Sequence, residues 1–174
     1  VAVVPALPPI TGGVVTTSEQ AAIVAVVAFL LKPPTAVLRQ TVAQSIPNNA
    51  FTAVTLDTRD QDSAGGWSSG SNTRYTAQYA GWYECSGSAG FAANATGSRA
   101  AAWSVNGTLV NQAGQFVGTN AGGVGVNLDV PTQLLFLNVS DFVEFRIFQS
   151  SGAALLTVVT ANNQSGVSIK FVSQ

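Results

Sequence analysis

"SRAAAWSVNGTLVNQAGQFV", residues Ser98 to Val117, reads as two β-strands joined by a two-residue turn. Asn106-Gly107 is the strongest hairpin signal in the chain. A type I′ turn needs positive φ at both central residues, which Asn and Gly reach at the least steric cost. The period-two pattern of these strands runs outward from Thr35 to the last residue, with turn residues every eight to twelve positions. It marks strands at 36–44, 50–57, 73–78, 81–93, 98–105, 108–117, 132–139, 141–149, 153–161 and 166–174. About ten strands with no helix among them predict an all-β fold, a jelly-roll sandwich.

The first 34 residues follow other rules. Residues 1–17, "VAVVPALPPITGGVVTT", are broken by Pro and Gly and form an extended arm. A short helix is expected over 18–32, with Ser18 as N-cap, Glu19 at the positive end, Lys32 at the negative end and Pro33-Pro34 as the stop. From Ala21 to Leu31 it has no polar side chain. A membrane-spanning helix needs about 20 apolar residues, so this run is too short for membrane insertion. No basic residue precedes it, as a secretory signal would require. A helix apolar on all sides must be enclosed by protein, so a partner is implied. Residues 1–34 are therefore expected to anchor the protein to a larger assembly through Ile23, Val24, Val26, Val27, Phe29, Leu30 and Leu31.

Composition narrows the function. Charged residues make up 9% of the chain and the net charge is −1, with no basic cluster, so nucleic acid is not an expected partner. So little charge implies that much of the surface faces other protein. Histidine is absent, which removes Ser-His-Asp and Cys-His catalysis and the usual zinc sites. Cys85 alternates in phase with Tyr83, Ala89 and Phe91 and reads as a buried structural thiol, the alternative being a reactive one.

Strand faces add detail. In "GVSIKFVSQ", Val167, Ile169 and Phe171 point inward, whereas "TQLLFLNV" is apolar on both sides. In "DFVEFRIFQ", Val143, Phe145 and Ile147 form one face, and Phe142, Glu144, Arg146 and Phe148 the other. Aromatics mixed with an opposite-charge pair suit a contact between subunits. The alternative is a same-strand ion pair on an ordinary solvated face.

These residues together resemble a family. "TVAQSIPNNAFTAVTLDT", "YTAQYAGWYECSGSAGFAAN" with Gly81, Trp82 and Tyr83, and the Arg99, Trp103, Val105, Asn106, Gly107 series resemble the C1q/TNF-like trimeric jelly roll. The likeness is greatest to the version in virion proteins of tailed bacteriophages. "LFLNVSDFVEFRIFQSSG" follows the same pattern, except that Ser140-Asp141 stands where the family usually has Gly-Asp. The resemblance covers about Ala36 to the C terminus, placing a jelly-roll domain at 35–174 behind the 1–34 segment. It implies a homotrimer on the virion surface, assembled in the host cytoplasm with other virion proteins of the capsid or tail. Capsid decoration and a minor tail position fit it equally. It implies no enzymatic activity and no cofactor.

Other clusters were weighed for chemistry. Asp57, Asp60 and Asp62 in "LDTRDQD" could hold calcium, as some C1q-like trimers do, but lack the glycine register and distant Glu of an EF-hand. A solvated acidic turn is the other reading. "VGTNAGGVGVN" has no Gly-Lys-Ser/Thr and reads as a flexible loop, not a phosphate cradle. Trp67, among Gly, Ser and Asn, could grip a host-surface glycan by ring stacking or fold back on the sandwich. With the Gly118–Gly125 loop at the same exposed end, it would serve the alternative function, a receptor- or glycan-binding module. The sequons at Asn94, Asn106, Asn138 and Asn163 are expected by chance in so Asn/Ser/Thr-rich a chain. No pair of carboxylates converges as a glycosidase requires.

Overall fold

The computed structural model describes residues 5, 6, 9, 13, 15–118, 126–160 and 162–174. Most of the N-terminal arm and of the Gly118–Gly125 loop therefore lies outside the described residues. One helix, α1 (Thr17–Leu31), precedes twelve strands. They are β1 (Thr35–Arg39), β2 (Ser45–Ile46), β3 (Thr52–Ala53), β4 (Thr58–Asp62), β5 (Tyr75–Thr76), β6 (Gly81–Phe91), β7 (Ser98–Val105), β8 (Thr108–Gly118), β9 (Val126–Leu137), β10 (Phe142–Gln149), β11 (Leu155–Leu156) and β12 (Gly166–Ser173).

Two antiparallel sheets face each other, in strand orders β4-β1-β12-β6-β9 and β3-β10-β7-β8, with β5 paired to the start of β10. The inward face of the first carries Leu38, Tyr83, Cys85, Phe91, Leu128, Leu137, Ile169 and Phe171, and that of the second Trp103, Val143, Phe145 and Ile147, all buried. Trp103 and Phe145 stack at 5.2 Å between ring centroids in the middle of this core. The β7–β8 turn has φ of 50° at Asn106 and 80° at Gly107, the type I′ signs expected.

The differences from expectation have local causes. The strand expected over 36–44 stops at Arg39 and restarts as β2, and that over 50–57 shrinks to β3. The Gln44 side-chain amide stands in for a strand partner there, donating to Ala53 O at 3.0 Å and accepting from Thr55 N at 2.9 Å. The acidic segment expected as a turn is the edge strand β4, paired to β1 across a register shift. β9 begins six residues earlier than expected and runs through Pro131, which an edge strand tolerates because the missing N–H faces no partner.

α1 starts one residue earlier than expected, and its N-cap is Thr16, not Ser18. Thr16 and Glu19 form a capping box, with Thr16 N donating to a Glu19 carboxylate oxygen at 2.7 Å and Glu19 N to Thr16 Oγ1 at 3.3 Å. The helix lies against one end of the sandwich, where the Phe29 ring meets Tyr79 and Phe171 edge-on at 5.2 and 5.3 Å. Gly81, at φ 152°, is required there, because a Cβ would strike Ser173 O and the Phe171 ring. Pro34 O then accepts from Phe171 N at 2.8 Å, fixing the chain's entry into β1.

At this same end two turns are locked together by one carboxylate. Asp141 accepts from Asn106 Nδ2 at 2.8 Å, and from Asn138 N and Nδ2 at 2.8 and 3.0 Å. The Asn106 and Asn138 hydrogen bonds hold its carboxyl below the ordinary carboxylate range. Asp57 is also held low: burial raises it, but donors from Thr41, Val42 and Thr58 outweigh that. A lowered folded-state value means that these two groups contribute stability above the unfolded carboxylate range and lose it as pH falls through their folded values. Urea unfolding should therefore show stability declining from pH 5 downward, by about 1 kcal/mol for the partly exposed Asp141. In Asp141→Asn the decline should shrink; an unchanged pH profile would show that the carboxylate contributes nothing.

Candidate functional site

Apart from the Gly118–Gly125 loop, the residues singled out by sequence fall within the described structure. Asp57, Asp60 and Asp62 are occupied separately. Asp57 binds Thr41 and Val42, Asp60 pairs with Arg39 at 2.8 Å, and Asp62 accepts from the backbone of residues 64–67. No group of three metal-ligating side chains occurs among the described residues. Trp67 folds back on the sandwich: its indole N–H donates to Leu56 O at 2.9 Å and Arg59 lies over its ring. Its loop is tied to β5 at the start of β10, while Gly118 pairs with Ser98 beside Ser150, past the end of β10. Trp67 and Gly118 are thus separated by the length of a strand, about 25 Å, and the rest of the Gly118–Gly125 loop lies outside the described residues. Cys85 is buried, and burial pushes its thiol up to about 12, so it is structural.

Phe142, Glu144, Arg146 and Phe148 share the outer face of the second sheet, as expected, and the chain itself occupies them. Arg146 holds Glu144 at 2.7 Å, and Ser104 Oγ donates to the same carboxylate at 3.0 Å. Arg74 lies over the Phe142 ring, and Phe51 packs on Phe148. The cause is visible in β7, whose outward residues opposite this strand are Ala100, Ala102 and Ser104. Over such short side chains the long neighbours lie flat, and Glu144 is left only 9% exposed.

The outer face of the first sheet is built the other way. β6 and β9 pair Trp82 with Phe136 and Glu84 with Leu134, and β12 brings Lys170 opposite Glu84. Trp82, Leu134, Phe136 and Val172 remain 43–56% exposed, with the Trp82 and Phe136 rings edge-on at 5.5 Å. Glu84 and Lys170 make no ion pair with each other. The sequence reading marked "TQLLFLNV" as apolar on both sides but placed the subunit contact on Phe142 to Phe148 and did not join Trp82 to Leu134 and Phe136. The signal was available in "GWYE" and "LLFL", where the apolar residues stand out of phase with the core.

α1 extends that surface. Ile23, Val26 and Phe29 are half-buried; Phe29 packs on the core and Val26 lines a cavity beside Phe171, so part of the expected anchoring set lies against the chain's own domain. Val24, Val27, Leu30 and Leu31 are exposed, Leu31 to 76%. A cavity of about 330 Å³ where helix and sheet meet is lined by Phe29, Leu30, Pro33, Glu84, Lys170 and Val172, so the two apolar surfaces are continuous. No helix among the described residues is long and apolar enough to cross a membrane.

No family model matches the sequence, and no curated protein does. Solved structures do match the fold. Murine APRIL at pH 8.5 is similar with a TM-score of 0.58 and 11% identity, over 79% of this chain and 98% of that one. PRD1 vertex protein P5 is similar with a TM-score of 0.56 and 16% identity, over 80% and 97%. Eiger TNF from S. frugiperda is similar with a TM-score of 0.53 and 9% identity, over 81% and 95%. The chain is an all-β, TNF-like jelly-roll sandwich preceded by one short helix. At these identities the likeness is one of fold.

Because the three aspartates are committed to separate partners, millimolar calcium should leave the unfolding temperature unchanged. A rise reversed by EDTA would show that the carboxylates regroup around the ion.

Proposed function

We propose that this protein is a homotrimeric structural component of a virion surface, seated on the capsid or tail of a tailed bacteriophage through α1. The observation that carries the reading is the continuous exposed apolar surface of Trp82, Leu134, Phe136, Val172 and the outer residues of α1. An isolated subunit would leave it in water, which monomers rarely do over so large a patch. The fold likeness to PRD1 vertex protein P5 supports a place on a particle, and the likeness to Eiger TNF and APRIL fits a receptor-binding module equally well. The first reading is preferred because α1 supplies an attachment element that the sandwich does not need for its own core. The role is structural, with no catalytic step and no cofactor.

Within the trimer, the first sheet's outer face is the better contact between copies. The Phe142–Phe148 face is already covered by its own chain, whereas Trp82, Leu134 and Phe136 are not. Burial of each such side chain contributes roughly 1.5–3 kcal/mol before the costs of association. α1 then has its free side, Val24, Val27, Leu30 and Leu31, for the particle.

Light scattering of the purified protein should give three times the chain mass. Leu134→Asp and Phe136→Asp should yield folded monomers, since a charge buried without a partner is strongly unfavourable in a contact. Phe148→Asp should remain trimeric, and the reverse pattern would return the contact to the second sheet. Deleting residues 1–32, which keeps the Pro34–Phe171 hydrogen bond, should leave a trimer that no longer sediments with particles. Co-sedimentation equal to that of the full chain would show that the sandwich itself docks.

A further inference from the structure

Asn106-Gly107 is the one Asn-Gly pair in the chain. In such a pair the glycine backbone N can attack the asparagine carboxamide carbon, because no Cβ stands in its path. Both residues are exposed, and the nearest atom to a Cβ built on Gly107 would be Arg146 Nη2, at 3.8 Å. The turn is therefore open to water, and the hairpin that decides the fold also carries the chain's most hydrolysis-prone amide.

That amide is held still. Asn106 Nδ2 donates to Asp141 Oδ1 at 2.8 Å, and Asn106 Oδ1 accepts from Phe142 N at 2.9 Å, so both ends of the carboxamide are engaged. Asn106 N also donates to Phe142 O at 2.9 Å, which fastens the turn to the start of β10. Asp141 is fixed in its place by Asn138, whose N and Nδ2 donate to its other carboxylate oxygen. For Gly107 N to reach Asn106 Cγ the carboxamide must rotate, and rotation breaks both of its hydrogen bonds. Reaction is confined to the fraction of molecules in which this clamp is open.

We propose that Asn106 is a latent deamidation site gated by the Asp141 carboxylate. When the clamp opens, Gly107 N forms a bond to Asn106 Cγ, the Cγ–Nδ2 bond breaks, and ammonia leaves with the proton from Gly107 N. Water then opens the resulting five-membered imide at either carbonyl, giving aspartate or isoaspartate at position 106. Neither product restores the clamp, since each replaces the amide donor facing Asp141 with a carboxylate. The consequence reaches α1. Asp141 O accepts from Ala77 N at 2.8 Å and Ala77 O from Ser140 N at 2.9 Å. Two residues further on, Tyr79 supplies a ring on which Phe29 packs. Hydrolysis of one side-chain amide, with water as the only co-reactant, thus loosens the turns that support the seat of the helix.

The test is incubation of the full chain at mildly alkaline pH, with conversion at position 106 followed by peptide mapping and mass spectrometry. Native protein should keep Asn106 intact over the time in which the same chain in urea is converted. Asp141→Ala should speed conversion about tenfold or more, as expected for loss of one hydrogen bond to a charged group. Asp141→Asn, which keeps an acceptor oxygen, should speed it less. Ile169→Val, a core change that costs stability without touching the turn, should leave the rate unchanged. Asn106→Asp, which stands for the aspartate product, should unfold about 3 °C below the parent. The proposal is overturned if native protein is converted as fast as the unfolded chain, or if neither Asp141 variant accelerates conversion. It is equally overturned if Ile169→Val accelerates conversion as much as they do, or if Asn106→Asp is as stable as the parent. None of these readouts involves oligomer mass or particle sedimentation, so the outcome is separate from that of the trimer and anchoring reading.

Discussion

A pleated strand has two faces, and in this protein the two sheets treat the second face in opposite ways. Inward, both do the same thing, closing Trp103, Phe145, Tyr83 and Phe171 into one core. Outward, the second sheet sets Ala100, Ala102 and Ser104 beneath Glu144, Arg146 and Phe148, so that its own long side chains roof it. The first sheet sets Trp82 against Phe136 and leaves both rings in water. Most of what is distinctive about the molecule follows from that asymmetry. One outer face is covered within the chain, and the other leaves Trp82, Leu134, Phe136 and Val172 half-exposed.

α1 is bound up with the same constraint. Its own sequence gives it no polar side, so packing alone decides how it is oriented. Phe29 settles this by meeting the rings of Tyr79 and Phe171, the latter held in a position that a Cβ on Gly81 would disturb. The capping box at Thr16 and Glu19 and the stop at Pro33-Pro34 fix its length. The helix is therefore a part of the domain with one side left over, and that side continues the unfinished face of the first sheet.

The fold was legible because its signals are local. Asn106-Gly107 can hardly do anything but turn a hairpin, and the alternation in "GVSIKFVSQ" and "GWYECSGSAGF" places Phe171, Tyr83 and Cys85 inward without reference to any other strand. The outer faces of the sheets were less legible, because a strand read alone cannot reveal what its neighbour places beside it. Phe142 to Phe148 looked exposed until Ala100 and Ala102 were seen next to them. Trp82 stands out only once Phe136 is seen across from it. The acidic segment read as a turn is a strand instead because Thr58 to Asp62 pair with β1, a partner far off in sequence, and its acids then meet separate groups, Asp60 on Arg39 and Asp62 on the backbone of residues 64–67. Thr16 displaced Ser18 as N-cap because Glu19 stands three residues after it and completes the reciprocal pair.

Charge completes the polarity of the molecule. In a chain with few ionised groups, the placement of each one matters more than the total. Asp141 and Asp62 organise turns near α1, and Glu84 and Lys170 stand free beside the apolar face. At the far end Arg99 is drawn inside, its Nη1 and Nη2 donating to carbonyls while its Nε stays unpartnered, and desolvation lowers its pKa. Burying a cation without a carboxylate is expensive. A loop meant only to be soluble would have no reason to incur that cost, since a surface arginine would serve better. What offsets it is the order of the loop 92–98, which Arg99 ties from inside to the start of β7 through the carbonyls of Asn94, Thr96 and Ser98.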